Sequence, residues 1–251
     1  MITTSFKYKK FNFPCGERHV IIEDIDELPQ ANIVFQYEGD AEIMELLLVA
    51  DAIKRLGGYI QTLQLTYIPY SRQDRVNIQG ESLSLKVFCD LINGIGAREV
   101  IVEDPHSDVA VALINNCTVI PQHEIFEKYL HGKEPFYLLS PDGGALKKIY
   151  KLAAVCKPIA VLECSKIRNT STGEITGVHV PPIHSSHPIY IVDDICDGGR
   201  TFVEIAKAIP AASKDRGNKI ILMVTHGFMT KGIKVFDGLI DEIYTGKGKV
   251  K

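Results

Sequence analysis

Apolar and polar positions follow two rhythms along this chain. Over residues 42–56, apolar side chains fall at Ile43, Leu46, Leu47, Ala50 and Ile53, the three-to-four spacing of an amphipathic helix. Residues 63–68 form a short apolar run that reads as a strand. Residues 83–95 return to helical spacing, with Leu85, Phe88, Leu91 and Ile92 on one side. A brief strand at 100–102 follows, and a further helix starts within 109–114. The same grammar recurs with a strand at 137–139, a helix at 145–155, and strands at 159–163, 190–192 and 220–224. Strands alternating with helices predict an α/β fold in which the sheets are mostly parallel and flanked by helices. HGKEP at 131–135 interrupts the apolar pattern, so the reading is two similar lobes, 1–132 and 133–251.

One segment, IYIVDDICDGGRTFVEIAKAI at 189–209, carries the most chemistry. Its strand ends at adjacent carboxylates, Asp193 and Asp194. The carboxyl ends of strands in open α/β sheets are where ligands bind. Carboxylates there can accept hydrogen bonds from vicinal sugar hydroxyls or hold a hydrated Mg²⁺. Gly198 and Gly199 let the backbone approach a phosphate. Thr201 opens a helix with Phe202, Ile205, Ala206 and Ile209 on one face, and its unpaired N–H groups face the loop. A lone acidic or glycine pair after a strand is usually just a turn and a cap. The uninterrupted order of strand, acidic pair, glycine loop and helix favours a sugar-phosphate site.

Composition narrows the class. The chain has 251 residues, 45% of them hydrophobic, and a formal charge of −3. That is enough for a sizeable core and gives no general attraction to nucleic acid. No apolar run approaches the ~18 residues of a membrane span, and MITTSFKYKKFNF lacks the apolar core of a secretion signal. Six scattered cysteines without a CxxC pair fit a reduced cytoplasmic protein.

Other strand-end loops carry charge. YIPYSRQDR at 67–75 offers Arg72 as a phosphate clamp and Gln73 as a reader of a base edge, with Asp74 beside them; an ordinary solvated loop is the competing reading. His106 in EDPHS can meet a nucleotide or a metal, or can simply be exposed. Asp142 in SPDGG can help hold Mg²⁺ or can cap the next helix. Lys166 and Arg168 lie two apart, so they share one face if extended. The polar NTSTG after them suggests a mobile lid carrying cations, with a solvated hairpin tip as the alternative.

FPCGE (13–17), MELLLVADAIK (from Met44), YIPYSRQDR, EDPHS, SPDGGALKK, SKIR (165–168), VDDICDGGRT and THG (225–227) stand in one order. In that order they resemble the ribose-phosphate diphosphokinase (phosphoribosyl diphosphate synthetase) family, here a short form with trimmed termini. The resemblance implies two tandem type I phosphoribosyltransferase-like domains with the active site between them. It implies Mg²⁺-dependent transfer of the diphosphoryl group of ATP to the anomeric hydroxyl of ribose 5-phosphate. Residues implied for ATP are Phe13, Glu17, Arg72, Gln73, Asp74 and His106, with His106 and Asp142 near the metal. Lys166 and Arg168 are implied as catalytic. Asp193 and Asp194 are implied for the ribose, and Asp197, Gly198, Gly199, Arg200 and Thr201 for its phosphate. Phe13 and Glu17 match a loop that serves a neighbouring subunit, which implies a homo-oligomer. The chain departs from the family pattern at Cys15, at Ser165 and most visibly at Arg200, which stands where a glycine is usual. That arginine leaves open a larger ribose phosphoester such as ADP-ribose, with a non-catalytic regulatory homologue as a further alternative.

Overall fold

Two sheets organise the chain, one before and one after Ile120 in sequence. The computed structural model describes residues 1–23, 30–168, 175–209 and 217–251, apart from the side chains of 166–168 and 175–176. The units are Met1–Ile120 and Pro121–Lys251.

The first unit runs β1 (Ile2–Thr4), β2 (Tyr8–Asn12), β3 (Arg18–Ile22), β4 (Gln30–Phe35), α1 (Asp40–Arg55), β5 (Tyr59–Leu65), α2 (Ser84–Ile95), β6 (Glu99–Glu103), α3 (Asp108–Leu113) and β7 (Cys117–Ile120). Its sheet has the order β1-β4-β5-β6-β7. The last four strands are parallel, and β1 is an antiparallel edge. Ile33, Phe35, Leu63, Leu65, Val100 and Val102 from the strands pack with Leu46, Val49, Ile53, Leu85 and Phe88 from the helices. The apolar helical positions 43, 46, 50 and 53 are all buried, as their spacing predicts.

The second unit contains α4 (Gln122–Leu130), β8 (Tyr137–Ser140), α5 (Leu146–Cys156), β9 (Ala160–Glu163), β10 (Ser165–Arg168), β11 (Ile175–His179), β12 (Ile189–Cys196), α6 (Arg200–Ala208), β13 (Ile220–Gly227), a 3-10 turn (Ile233–Phe236), β14 (Glu242–Thr245) and β15 (Gly248–Lys249). Its main sheet has the order β15-β14-β13-β12-β8-β9, parallel except at the β14–β15 edge. From Ile189 to Val192, β12 is buried at every position, as expected of a parallel strand covered on both faces.

Several expectations shift. The strand expected at 63–68 is β5, which starts at Tyr59 and ends at Leu65. Pairing with both neighbours ends at Leu65, opposite Phe35 and Val102, and the chain then turns away through Pro69 and Tyr70, the latter at a φ of 61°. The division falls after Ile120 rather than at 131–135. Helix α4 buries Ile125, Phe126 and Leu130 and sets Tyr129 5.3 Å from Tyr244, so it packs with the second unit. HGKEP is a loop inside that unit. Part of the polar stretch at 164–177 is an antiparallel hairpin, β10 with β11.

The β2–β3 hairpin, unforeseen in the apolar pattern, docks on α1 through one buried carboxylate. Glu45 is fully buried. It accepts from the Tyr8 hydroxyl at 2.7 Å, from Lys10 Nζ at 3.2 Å and from Arg18 Nη1 at 2.7 Å. Burial works to raise its pKa, but the three donors outweigh burial and hold it below the usual glutamate range. The contribution of this cluster is therefore present above the unfolded glutamate pKa and lost as pH falls through the lower folded value. We expect Glu45→Gln to cost about 2 kcal/mol at pH 7, with the deficit shrinking below pH 4. Urea unfolding at both pH values checks this.

Candidate active site

Strand order decides where the second unit can bind a ligand. From β8 the chain crosses to its neighbour β9, then returns to enter β12 on the other side of β8. That reversal makes the carboxyl ends of β8 and β12 a topological switch point, where the outgoing loops diverge and leave a crevice. The loop after β8 carries Asp142. Strand β12 carries Asp193 and Asp194 and leads into Asp197–Thr201. In the first unit, β4 to β7 stand in sequence order, so they have no such reversal. Its charged residues lie instead on a long connection, 66–83, between β5 and α2.

Asp193 and Asp194 lie inside β12, whose pairing with β13 continues to Cys196. The strand outlasts the expected 190–192 because Ile195 and Cys196 keep their ladder partners. The Asp193 carboxylate turns back to accept the Asp194 N–H at 2.9 Å. Its main-chain carbonyl accepts Gln122 Nε2 of α4 at 3.0 Å. Asp194 is buried and receives Lys148 Nζ of α5 at 3.2 Å. Burial raises the Asp193 pKa to about 7, and the neighbouring Asp194 and Asp142 charges push the same way. The three acidic residues thus converge within one electrostatic neighbourhood. Carboxyls so perturbed concentrate at functional sites.

Asp142 also does what the simpler reading expected. Its Oδ1 accepts the Gly144 and Ala145 N–H groups at 3.0 and 3.4 Å, holding the start of α5. Glu163 at the end of β9 approaches the same loop, since a Cβ on Gly143 would sit 3.2 Å from Glu163 Oε1.

The glycine loop is held by close contact. Gly199 has φ 79°, and a Cβ there would lie 2.5 Å from the Phe236 ring. No L side chain fits without moving that ring. Gly199 caps α6, leaving Arg200 exposed in its first turn. A strap formed by 228–230 closes over the loop. Phe228 N–H donates to Cys196 O at 2.8 Å, Thr230 N–H to Asp197 O at 3.0 Å, and Thr230 Oγ1 to Asp197 Oδ1 at 2.8 Å. Burial pushes the Cys196 thiol up to about 12, so it fills space as a neutral group.

In the first unit, Arg72 and Gln73 are exposed, and the turn bearing them is anchored by Tyr70, whose hydroxyl donates to Asp40. Arg75, paired at 2.9 Å, holds Asp74 below the usual carboxylate range, and the nearby His106 imidazole acts in the same direction. The structure therefore brings Asp74 and His106 together from two different loops. Phe13 and Glu17 close the β2–β3 turn, where Phe13 N–H donates to Glu17 O at 2.8 Å. The Phe13 ring meets Phe11 and His19. Lys166 and Arg168 lie on β10 opposite Val178 and Ile175, with a bulge between Ile167 and Arg168. Their side chains, and the NTSTG loop, lie outside the described residues.

Among the described residues, no three His, Cys, Asp or Glu side chains gather as a metal site. Mg²⁺ does not need three, because it takes one or two carboxylates and fills its shell with waters and substrate phosphates. Asp142 offers the oxygen donor that ion prefers. His106 is a nitrogen donor, better suited to phosphate oxygens.

Sequence reading missed Lys148, Gln122, Thr230 and Phe236. Lys148 stood in SPDGGALKK without a role. Its one available signal was its position in the first turn of α5, just after the Asp142 loop.

Comparison with known proteins adds an independent line. Residues 12–96 match the family model for the N-terminal domain of ribose phosphate pyrophosphokinase. The chain is 30% identical over 201 residues to ribose-phosphate pyrophosphokinase of Saccharolobus solfataricus, covering 78% of this chain and 68% of that one. It is 31% identical over 237 residues to the Thermococcus kodakarensis protein of the same name, covering 92% and 81%. The crystal structure of phosphoribosylpyrophosphate synthetase from Mycobacterium smegmatis superposes with a TM-score of 0.79 at 20% identity, covering 96% of this chain and 80% of that one. That likeness establishes the shared α/β fold.

The raised Asp193 pKa has a measurable consequence. Between about pH 4 and pH 7 the folded protein keeps a proton that the unfolded chain releases, so folding stability falls as pH rises through that window. Asp193→Asn removes this loss. We expect its stability relative to the parent to rise by about 1–3 kcal/mol between pH 4 and pH 8, read from urea midpoints.

Proposed function

Because the chain belongs to the ribose-phosphate pyrophosphokinase family, we propose that it transfers the diphosphoryl group of ATP to the anomeric hydroxyl of ribose 5-phosphate, giving phosphoribosyl diphosphate and AMP. The observation that carries this is the switch-point crevice, where Asp142, Asp193 and Asp194 converge beside the glycine turn into α6.

In this reading Asp193 and Asp194 accept hydrogen bonds from the ribose hydroxyls. Lys148 offsets part of their charge and fixes the Asp194 carboxylate. The backbone of Asp197, Gly198 and Gly199 and the first turn of α6, with Arg200 and Thr201, take the 5-phosphate. Arg72, Gln73, Asp74 and His106 bind ATP. The anomeric oxygen attacks the β-phosphorus and AMP departs as its bond to that phosphorus breaks. Lys166 and Arg168 are the catalytic cations, neutralising charge on the transferring group, since phosphoryl transfer depends mainly on positioning and electrostatics. Asp142 would hold Mg²⁺, the cofactor we assign, which would supply positive charge against the nucleotide phosphates.

A homo-oligomer is supported by the β2–β3 turn, which presents Phe11 and Phe13 at 41% and 46% exposure. Such aromatic exposure suits a neighbour's nucleotide base. Among the described residues, no helix is long and apolar enough to cross a membrane. The six cysteines, all free thiols, support a reducing cytoplasmic setting.

The test is chromatographic detection of AMP after incubation with Mg-ATP and ribose 5-phosphate. AMP matched by phosphoribosyl diphosphate is expected. No AMP would overturn the reading, and AMP formed with ADP-ribose alone would overturn the acceptor. Lys166→Ala should lower turnover about a hundredfold or more with unchanged unfolding temperature; an unaffected rate would remove Lys166 from catalysis.

A further inference from the structure

Several lysines of the second unit are paired. Lys148 pairs with Asp194, Lys207 with Glu204, Lys219 and Lys249 with Glu242, and Lys251 with Asp237. Lys231 differs. It is exposed, has no hydrogen bond or ion pair among the described residues, and lies against the phosphate loop. Its Cδ and Cε each come within 3.5 Å of where a Cβ on Gly198 would stand.

This placement is built by the strap. The Cys196 and Asp197 carbonyls hold the N–H groups of Phe228 and Thr230, and the Asp197 carboxylate holds the Thr230 hydroxyl. Gly232 N–H then closes back on Met229 O at 2.7 Å, while Met229 sits at φ 50°. A non-glycine residue held in that region is costly and persists where the surroundings demand it. The turn delivers a lysine stem across a glycine whose bare Cα leaves room for it, with the ammonium one bond beyond Cε.

We propose that Lys231 is a further binding residue for the acceptor, a second cation beside Arg200 that contacts its phosphate. The inference rests on the acceptor reading given above. A flexible ammonium packed along its stem keeps its charge at the loop while losing little freedom on binding. Lys231 therefore governs acceptor affinity and leaves the diphosphoryl transfer itself untouched.

Calorimetric titration of ribose 5-phosphate into the full chain, with kinetics alongside, tests this. Lys231→Ala should weaken ribose 5-phosphate binding and raise its KM about tenfold or more, with kcat and the KM for ATP within about twofold. Lys231→Arg should recover most of the loss. Lys234→Ala, which removes an exposed charge from the adjacent 3-10 turn, should bind like the parent. An unchanged affinity in Lys231→Ala, or an equal loss in Lys234→Ala, would overturn the role of Lys231 and leave the acceptor reading standing. No ribose 5-phosphate binding by the parent would overturn both.

Discussion

Two parallel strands cannot be joined by a tight turn; the chain must travel back along the sheet before it can pair again. In both units that constraint sends the strand exits to one sheet edge, and the loops there are the parts free to carry chemistry. In the second unit the order β13-β12-β8-β9 adds a reversal, so the exits of β8 and β12 lead apart. The acidic residues stand at that reversal. The sheet thereby supplies what a loop alone does not, a fixed separation between the carboxylates and the glycine loop, which in the reading proposed above take the sugar and its phosphate.

The cost of that arrangement is electrostatic. Three carboxyl groups lie close in charge, Asp194 buried and Asp142 and Asp193 half-buried, with Lys148 as the ammonium paired to Asp194. In the free protein, Asp193 answers by holding a proton into the neutral range. A ligand that donates hydroxyls, or a hydrated cation nearby, relieves the same repulsion. The apolar surroundings of β12 keep the backbone from yielding instead: Leu139, Leu222, Val224 and Phe202 pack around it, and close-packed interiors do not deform continuously. The β2–β3 hairpin of the first unit shows the opposite solution. There Glu45 is buried with enough donors to stay ionised, and the charge fastens an element in place.

Much of this was legible in the sequence. Helical spacing located α1, α2, α5 and α6 to within a few residues, because a helix buries one face and writes that face at a fixed period. The β12–α6 turn was legible because strand, carboxylates and glycines follow one another locally. What stayed hidden depends on partners distant in sequence. Helix α4 alternates polar and apolar residues like any surface helix, and nothing local says which core it covers. Strand β2 is mostly exposed and β3 buries only Val20 and Ile22, so the hairpin shows little apolar pattern and depends also on Glu45, more than twenty residues beyond its end. Lys148 became meaningful only once β8 lay beside β12. The Phe236–Gly199 contact could not be read at all, since it joins residues far apart in sequence through the shape of one ring.

Arg200 and Gly199 can be judged together from that contact. A side chain at 199 is excluded by the Phe236 ring and by a left-handed backbone. At 200 the chain has already entered α6 and the side chain points away from the core, where an arginine meets no steric objection. The two neighbouring positions therefore answer to different demands. Position 199 is set by the fold and admits glycine alone, whereas position 200 is open to whatever the ligand favours. An arginine at 200 costs the helix little, since its charge is unfavourable at a helix N-terminus by only a few tenths of a kcal/mol, roughly, in exposed settings. An anion bound at the loop reverses even that sign, because the same charge then faces a phosphate. In the reading proposed above, an arginine at 200 is thus a residue the scaffold tolerates without bound anion and gains from when one binds.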